Sequence, residues 1–112
     1  MEELFNKTCE PCKAGGLRLN DQEIKELLNQ VPGWSVIEVD TVSRLQKEYL
    51  FNNFKQALEF TNKIGDAAEQ NGHHPVLVTE WGKVSVSWWT HKIGGLHTND
   101  FIMAAKSDKL AG

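Results

Sequence analysis

The chain has 112 residues, 40% hydrophobic and 24% charged, with a formal net charge of -3. That is enough for one ordinary core without metal or disulfide staples, and it is neither disordered nor basic enough to hold nucleic acid by charge. The Met1-Glu2-Glu3 start lacks the basic and apolar character of a secretory signal. No apolar run approaches the roughly 20 residues of a bilayer span, so a soluble, cytoplasmic protein is expected.

Residues 1–19 read as a flexible leader containing Pro11, Gly15, Gly16 and the only two cysteines, Cys9 and Cys12. The C-x-x-C spacing suits zinc or redox chemistry, but no second cysteine pair follows, and the motif does not sit between a strand and a helix. Reduced thiols in a loose arm are the expectation. A zinc site joining this pair to His73 and His74 is the open alternative.

Residues 20–112 read as a single domain. Asn20, with Glu23 in the next turn, has the form of a capped helix start. Ile24, Leu27, Leu28 and Val31 follow the helical stripe, and Pro32-Gly33 ends it. Trp34 to Val39 and Val42 to Phe51 read as strands about an Asp40-Thr41 turn. Asn52-Asn53 then caps a second helix with an inner face of Phe54, Ala57, Leu58, Thr61, Ile64 and Ala68. Asn71-Gly72 tolerates the left-handed conformation that closes such a helix.

Pro75 drives His74 to an extended conformation. Val76 to Glu80 and Val84 to Thr90 are the next strands, joined at Trp81-Gly82-Lys83. Val84, Val86, Trp88 and Thr90 share one face of the last strand; Ser85, Ser87, Trp89 and His91 share the other. After a loop through His97, Thr98 caps a last helix with Asp100 in its first turn and Phe101, Ala104 and Ala105 inward. The order α-β-β-α-β-β-α predicts an α+β fold, a four-stranded antiparallel sheet with three helices on one face. Such a sheet leaves edges and one face open, and self-association is expected to bury part of that surface.

Three of the four histidines converge on this plan. A hairpin about Gly82 sets His73 opposite His91, Cβ atoms roughly 4.5–5.5 Å apart, and a one-residue shift sets His74 there instead. Imidazoles gathered at a sheet end can move protons near neutral pH. Taken singly, each histidine is more often a surface or structural residue. Glu69 reads equally well as a solvated carboxylate, and Asp100 as a first-turn charge.

The run Glu69-Gln70-Asn71-Gly72-His73-His74-Pro75, then Trp81, Thr90-His91, Gly95-Leu96 and Asp100, resembles the signature of the pterin-4a-carbinolamine dehydratases. The likeness extends from about Asn20 to Lys109. It implies a four-stranded antiparallel sheet with helices on one side, assembled as homodimers or homotetramers. It further implies dehydration of 4a-hydroxytetrahydrobiopterin to quinonoid dihydrobiopterin, in tetrahydrobiopterin recycling after aromatic amino-acid hydroxylation. Family positions that act on or bind the pterin match His73, His74, Pro75, Thr90 and His91, and Glu69 and Asp100 match supporting acids. Departures from the pattern are Val76-Leu77 in place of an aromatic, the C-x-x-C leader, and Trp89, which can crowd or stack on a pterin.

The elimination needs an acid at the departing hydroxyl and a base for the N5 proton. His73 and His91 are the expected pair, with His74 orienting the ring and Asp100 or Glu69 fixing a tautomer. Neither cofactor nor metal is expected, because the carbinolamine is already activated by its nitrogen; adjacent strand side chains also point oppositely, which disfavours His73 and His74 chelating one ion together. The partners implied are a pterin and further copies of the chain, with no nucleic acid and no membrane. The competing reading is a non-catalytic pterin-binding or transcription-coactivator-like module, because some family members also stabilise the dimer of a homeodomain transcription factor.

Overall fold

Asn20 closes a full capping box on the first helix, α1 (Asp21–Leu28). Its Oδ1 accepts from Glu23 N at 2.8 Å, and Glu23 Oε1 accepts from Asn20 N at 3.0 Å. The computed structural model describes Leu4 and residues 18–112; Cys9, Cys12 and most of the expected leader lie outside the described residues. Leu4 itself is in the core, and Leu19 N donates to Leu96 O at 2.9 Å. The first helix stops before Val31, which is buried in the following turn rather than on the helix.

Strands β1 (Ser35–Val39), β2 (Val42–Leu50), β3 (Val76–Glu80) and β4 (Lys83–Trp88) form one antiparallel sheet in the order β1-β2-β4-β3. Asp40 and Thr41 both have positive φ, 50° and 67°, the conformation of a two-residue turn whose twist matches its strands. The element order is the expected one, and the fold is α+β. The sheet face built from Leu45, Tyr49, Val84, Val86 and Trp88 is buried. Two helices, α2 (Phe54–Asn71) and α3 (Thr98–Ala111), pack on the sheet and on each other.

The buried face of α2 is Ala57, Phe60, Ile64 and Ala68, while Phe54 and Leu58 stay exposed. The stripe read from sequence was rotated because it left out Phe60, whose ring packs 4.6 Å from Tyr49 and 5.3 Å from Phe51. Sheet aromatics, invisible in the helix's own period, choose the face.

Helix α3 is capped by His97, not Thr98. His97 Nδ1 accepts from Asn99 N at 3.1 Å, and Asp100 Oδ2 accepts from His97 N at 2.9 Å. Asn99 through Ala104 are all buried, a belt wider than a single stripe. No helix among the described residues is long and apolar enough to cross a membrane.

Candidate active site

Helix α2 ends in a glycine cap that places the histidine doublet. Gly72 sits at φ 61°, His73 N donates to Ala68 O at 3.2 Å, and Gly72 N donates to Glu69 O at 3.4 Å. These paired bonds are the Schellman closure, which satisfies the last carbonyls and turns the chain sharply into β3. His73 and His74 are thus fixed by a backbone motif before any side-chain contact is made.

The β3–β4 ladder pairs Glu80 with Lys83 and Val76 with Ser87. The turn is therefore the two residues Trp81-Gly82, and continuing the register sets His91 opposite Gly72. Neither expected register occurs, and the ladder ends before any histidine is reached. Thr90 instead bridges Gly95, its N donating to Gly95 O at 2.9 Å, and His91–Ile93 turn as a short 3-10 segment. That turn, rather than strand pairing, carries His91 to the doublet. His91 Nε2 lies 3.4 Å from the His74 carbonyl oxygen.

Asp100 is the buried centre of the cluster, with no solvent exposure. Oδ1 lies 2.6 Å from His73 Nε2, while Oδ2 accepts from Thr90 Oγ1 at 2.9 Å and from His97 N at 2.9 Å. With Asp100 as a carboxylate, Oδ1 accepts the hydrogen of His73 Nε2, which puts the ring hydrogen of neutral His73 on Nε2 rather than Nδ1. The α3 N-terminus favours the negative charge. Below the His73 ring lies Trp88, nearly parallel at 9° with centroids 5.8 Å apart.

His74 and Glu69 form a second, exposed pair, Nε2 to Oε2 at 2.5 Å. His91 is exposed and stacks on Trp89, centroids 4.3 Å apart. Trp89 in turn carries the Arg44 guanidinium 3.9 Å from its ring centroid. Pro75 is half-buried between the doublet and β3. Sequence reasoning missed Arg44, Trp88 and His97. The first two are cross-strand and stacking neighbours with no motif of their own, and His97 was passed over because Thr98 is the commoner type of cap.

Among the described residues no group of three or more His, Cys, Asp or Glu is arranged to hold a metal ion. A groove of about 200 Å³ between α2 and α3, lined by Ala67, Gln70, Asn71, Lys106, Lys109 and Leu110, includes none of the histidines.

Fold and site together define a small α+β protein in which His73, His74 and His91 gather at one end of the sheet, with Asp100 paired to His73. The chain belongs to the pterin 4 alpha carbinolamine dehydratase family, whose sequence model matches residues 17–110. A relative from Nitrosococcus oceani, named provisionally as a pterin-4-alpha-carbinolamine dehydratase, is 56% identical over 98% of this chain and 97% of its own. One from Microcystis aeruginosa, with the same provisional name, is 52% identical over 98% of this chain and 95% of its own. Among solved structures, a transcriptional coactivator/pterin dehydratase from Brucella melitensis superposes with a TM-score of 0.77 at 30% identity. It spans 86% of this chain and 100% of that one.

Proposed function

We propose that the chain dehydrates 4a-hydroxytetrahydrobiopterin to quinonoid dihydrobiopterin and water, supporting tetrahydrobiopterin recycling after aromatic amino-acid hydroxylation. The observation that carries this reading is the His73–Asp100 pair at 2.6 Å beside His74 and His91, within the dehydratase family. In the reaction the C4a–O bond breaks as its hydroxyl takes a proton and leaves as water. The N5–H bond breaks as a base takes that proton, and the N5 electron pair forms the new C=N bond to C4a.

His73, through Nδ1, and His91 are the acid and base, groups typically worth about 10²–10⁴-fold each. Asp100 holds the His73 tautomer and supports the imidazolium when it forms. His74, steadied by Glu69, orients the pterin, and Pro75 and Trp89 wall the site. The Thr90 hydroxyl is engaged by Asp100, so Thr90 contributes by holding the carboxylate. Exposed apolar side chains at Leu50, Val76, Val78 and Trp81 support the expectation of a homodimer or homotetramer.

The test is the absorbance change of a synthetic 4a-hydroxytetrahydropterin mixed with purified protein. Acceleration above the spontaneous background, lost in His73→Ala and His91→Ala, is expected. A wild-type protein that leaves the background rate unchanged would refute the dehydratase reading and favour the interaction-module alternative.

A further inference from the structure

Trp89 lies on the sheet face opposite the buried one, yet it is only 9% exposed. Among the described residues, Arg44 and His91 lie against its ring. Continuing the β2–β4 register from Leu45 and Trp88 sets Arg44 directly opposite Trp89, and the guanidinium rests 3.9 Å from the indole centroid. His91 stacks against the same indole at 4.3 Å and 28°. Arg44 Nε is buried without a hydrogen-bond partner, although arginines on an open sheet face normally carry their polar end to water. The guanidinium lies against the indole face, with no hydrogen bond at Nε.

His91 needs such a support. It stands on a three-residue 3-10 turn beyond the end of β4, and its one hydrogen-bond contact with the doublet is long, 3.4 Å to the His74 carbonyl. An imidazole on a short turn samples several rotamers unless packing selects one.

We propose that Arg44 is a positioning residue for the site: it clamps the Trp89 indole by a cation–π contact, and the indole sets the ring orientation of His91 toward the pterin. Its catalytic meaning rests on the dehydratase reading above. A planar guanidinium stacks where an ammonium does not, so lysine is not an equivalent replacement.

The experiment is Arg44→Met, with Arg44→Lys and Trp89→Phe alongside, using protein ¹³C-labelled at histidine. In the wild type the ring current of Trp89 is expected to shift the His91 ring protons, and the His91→Ala spectrum assigns them. Arg44→Met is expected to move these resonances toward solvent-like positions and to lower kcat roughly tenfold with KM little changed, as a misaimed acid or base does. Arg44→Lys is expected to behave like Arg44→Met, and Trp89→Phe to retain part of both signals. Unmoved His91 resonances in Arg44→Met, or moved resonances with unchanged kcat, would overturn the proposal. A wild-type protein inert toward the carbinolamine would sink the dehydratase reading instead, and the His91 resonances would still decide whether Arg44 governs that ring.

Discussion

His73 Nε2 stands 2.6 Å from Asp100 Oδ1, and both side chains are shielded from solvent. Asp100 is at once the third residue of α3, the acceptor for the helix cap and the partner of the imidazole. Helix geometry and site geometry are therefore set by one carboxylate. Asp100→Asn is nearly isosteric but leaves the His73 tautomer unset. Its kcat is expected to fall by about 10²–10⁴-fold, as when a buried carboxylate is lost behind a catalytic histidine. Steady-state kinetics beside a native circular dichroism spectrum checks it, and a loss under about threefold would remove Asp100 from the tautomer role.

Gly72 offers a separation of backbone from side-chain effects. Its φ is 61°, and a methyl added there meets nothing within 4 Å. Gly72→Ala should cost only the left-handed strain, about 1–2 kcal/mol by urea denaturation, and Gly72→Asn less. A cost well above that would mean that the cap holds more than backbone conformation.

Asp108 ties the sheet to the far end of α3. Its carboxylate accepts from Trp34 Nε1 at 3.1 Å, from Lys47 Nζ at 2.9 Å, and from the Tyr49 hydroxyl. Asp108→Ala removes the one acceptor shared by three donors and strands a buried hydroxyl, so a loss of about 2–4 kcal/mol is expected. Tyr49→Phe, which removes donor and need together, should cost less than half of that in the same denaturation assay.

Burial, and then the Asp108 carboxylate, hold the Tyr49 hydroxyl well above its ordinary pKa of 10.0. The unfolded chain releases this proton at its ordinary value while the folded chain keeps it. Stability from this group is therefore intact below pH 10.0 and falls above it, by about 1.4 kcal/mol per pH unit. Tyr49 is the only tyrosine, so tyrosinate absorbance reports it alone. Absorbance should rise together with loss of circular dichroism in an alkaline titration; tyrosinate forming in a protein that is still folded would contradict this.

Gly95 admits the Arg18 side chain, since a methyl there would lie 2.4 Å from Arg18 Cδ. Arg18 is exposed and can swing away. Gly95→Ala is accordingly expected to cost less than about 1 kcal/mol, with no further loss when Arg18→Ala is added. A larger cost in thermal denaturation would show that Arg18 is anchored over the Thr90–Gly95 bridge.

The order of elements, the capping box at Asn20, the Asp40-Thr41 turn and the Asn71-Gly72 stop depend on neighbours within a few positions, and all were legible in the chain. That His91 comes near the His73-His74 doublet was also legible, since the β3–β4 hairpin returns the chain to that end of the sheet, but the strand pairing expected to deliver it does not occur. Register and side-chain partners were not legible. A two-residue turn instead of a three-residue one shifts every opposite pair, and the chain then leaves the ladder to deliver His91 by a 3-10 turn. The face of α2 follows Phe60's contact with Tyr49 and Phe51, and the cap of α3 goes to His97 because Asp100 can bond its backbone in return. Arg44, Trp88 and Trp89 acquire their places only when β2 and β4 lie side by side. Local propensity and period decided which elements exist; long-range packing decided which side chains face one another, since that energy is defined only between elements already assembled.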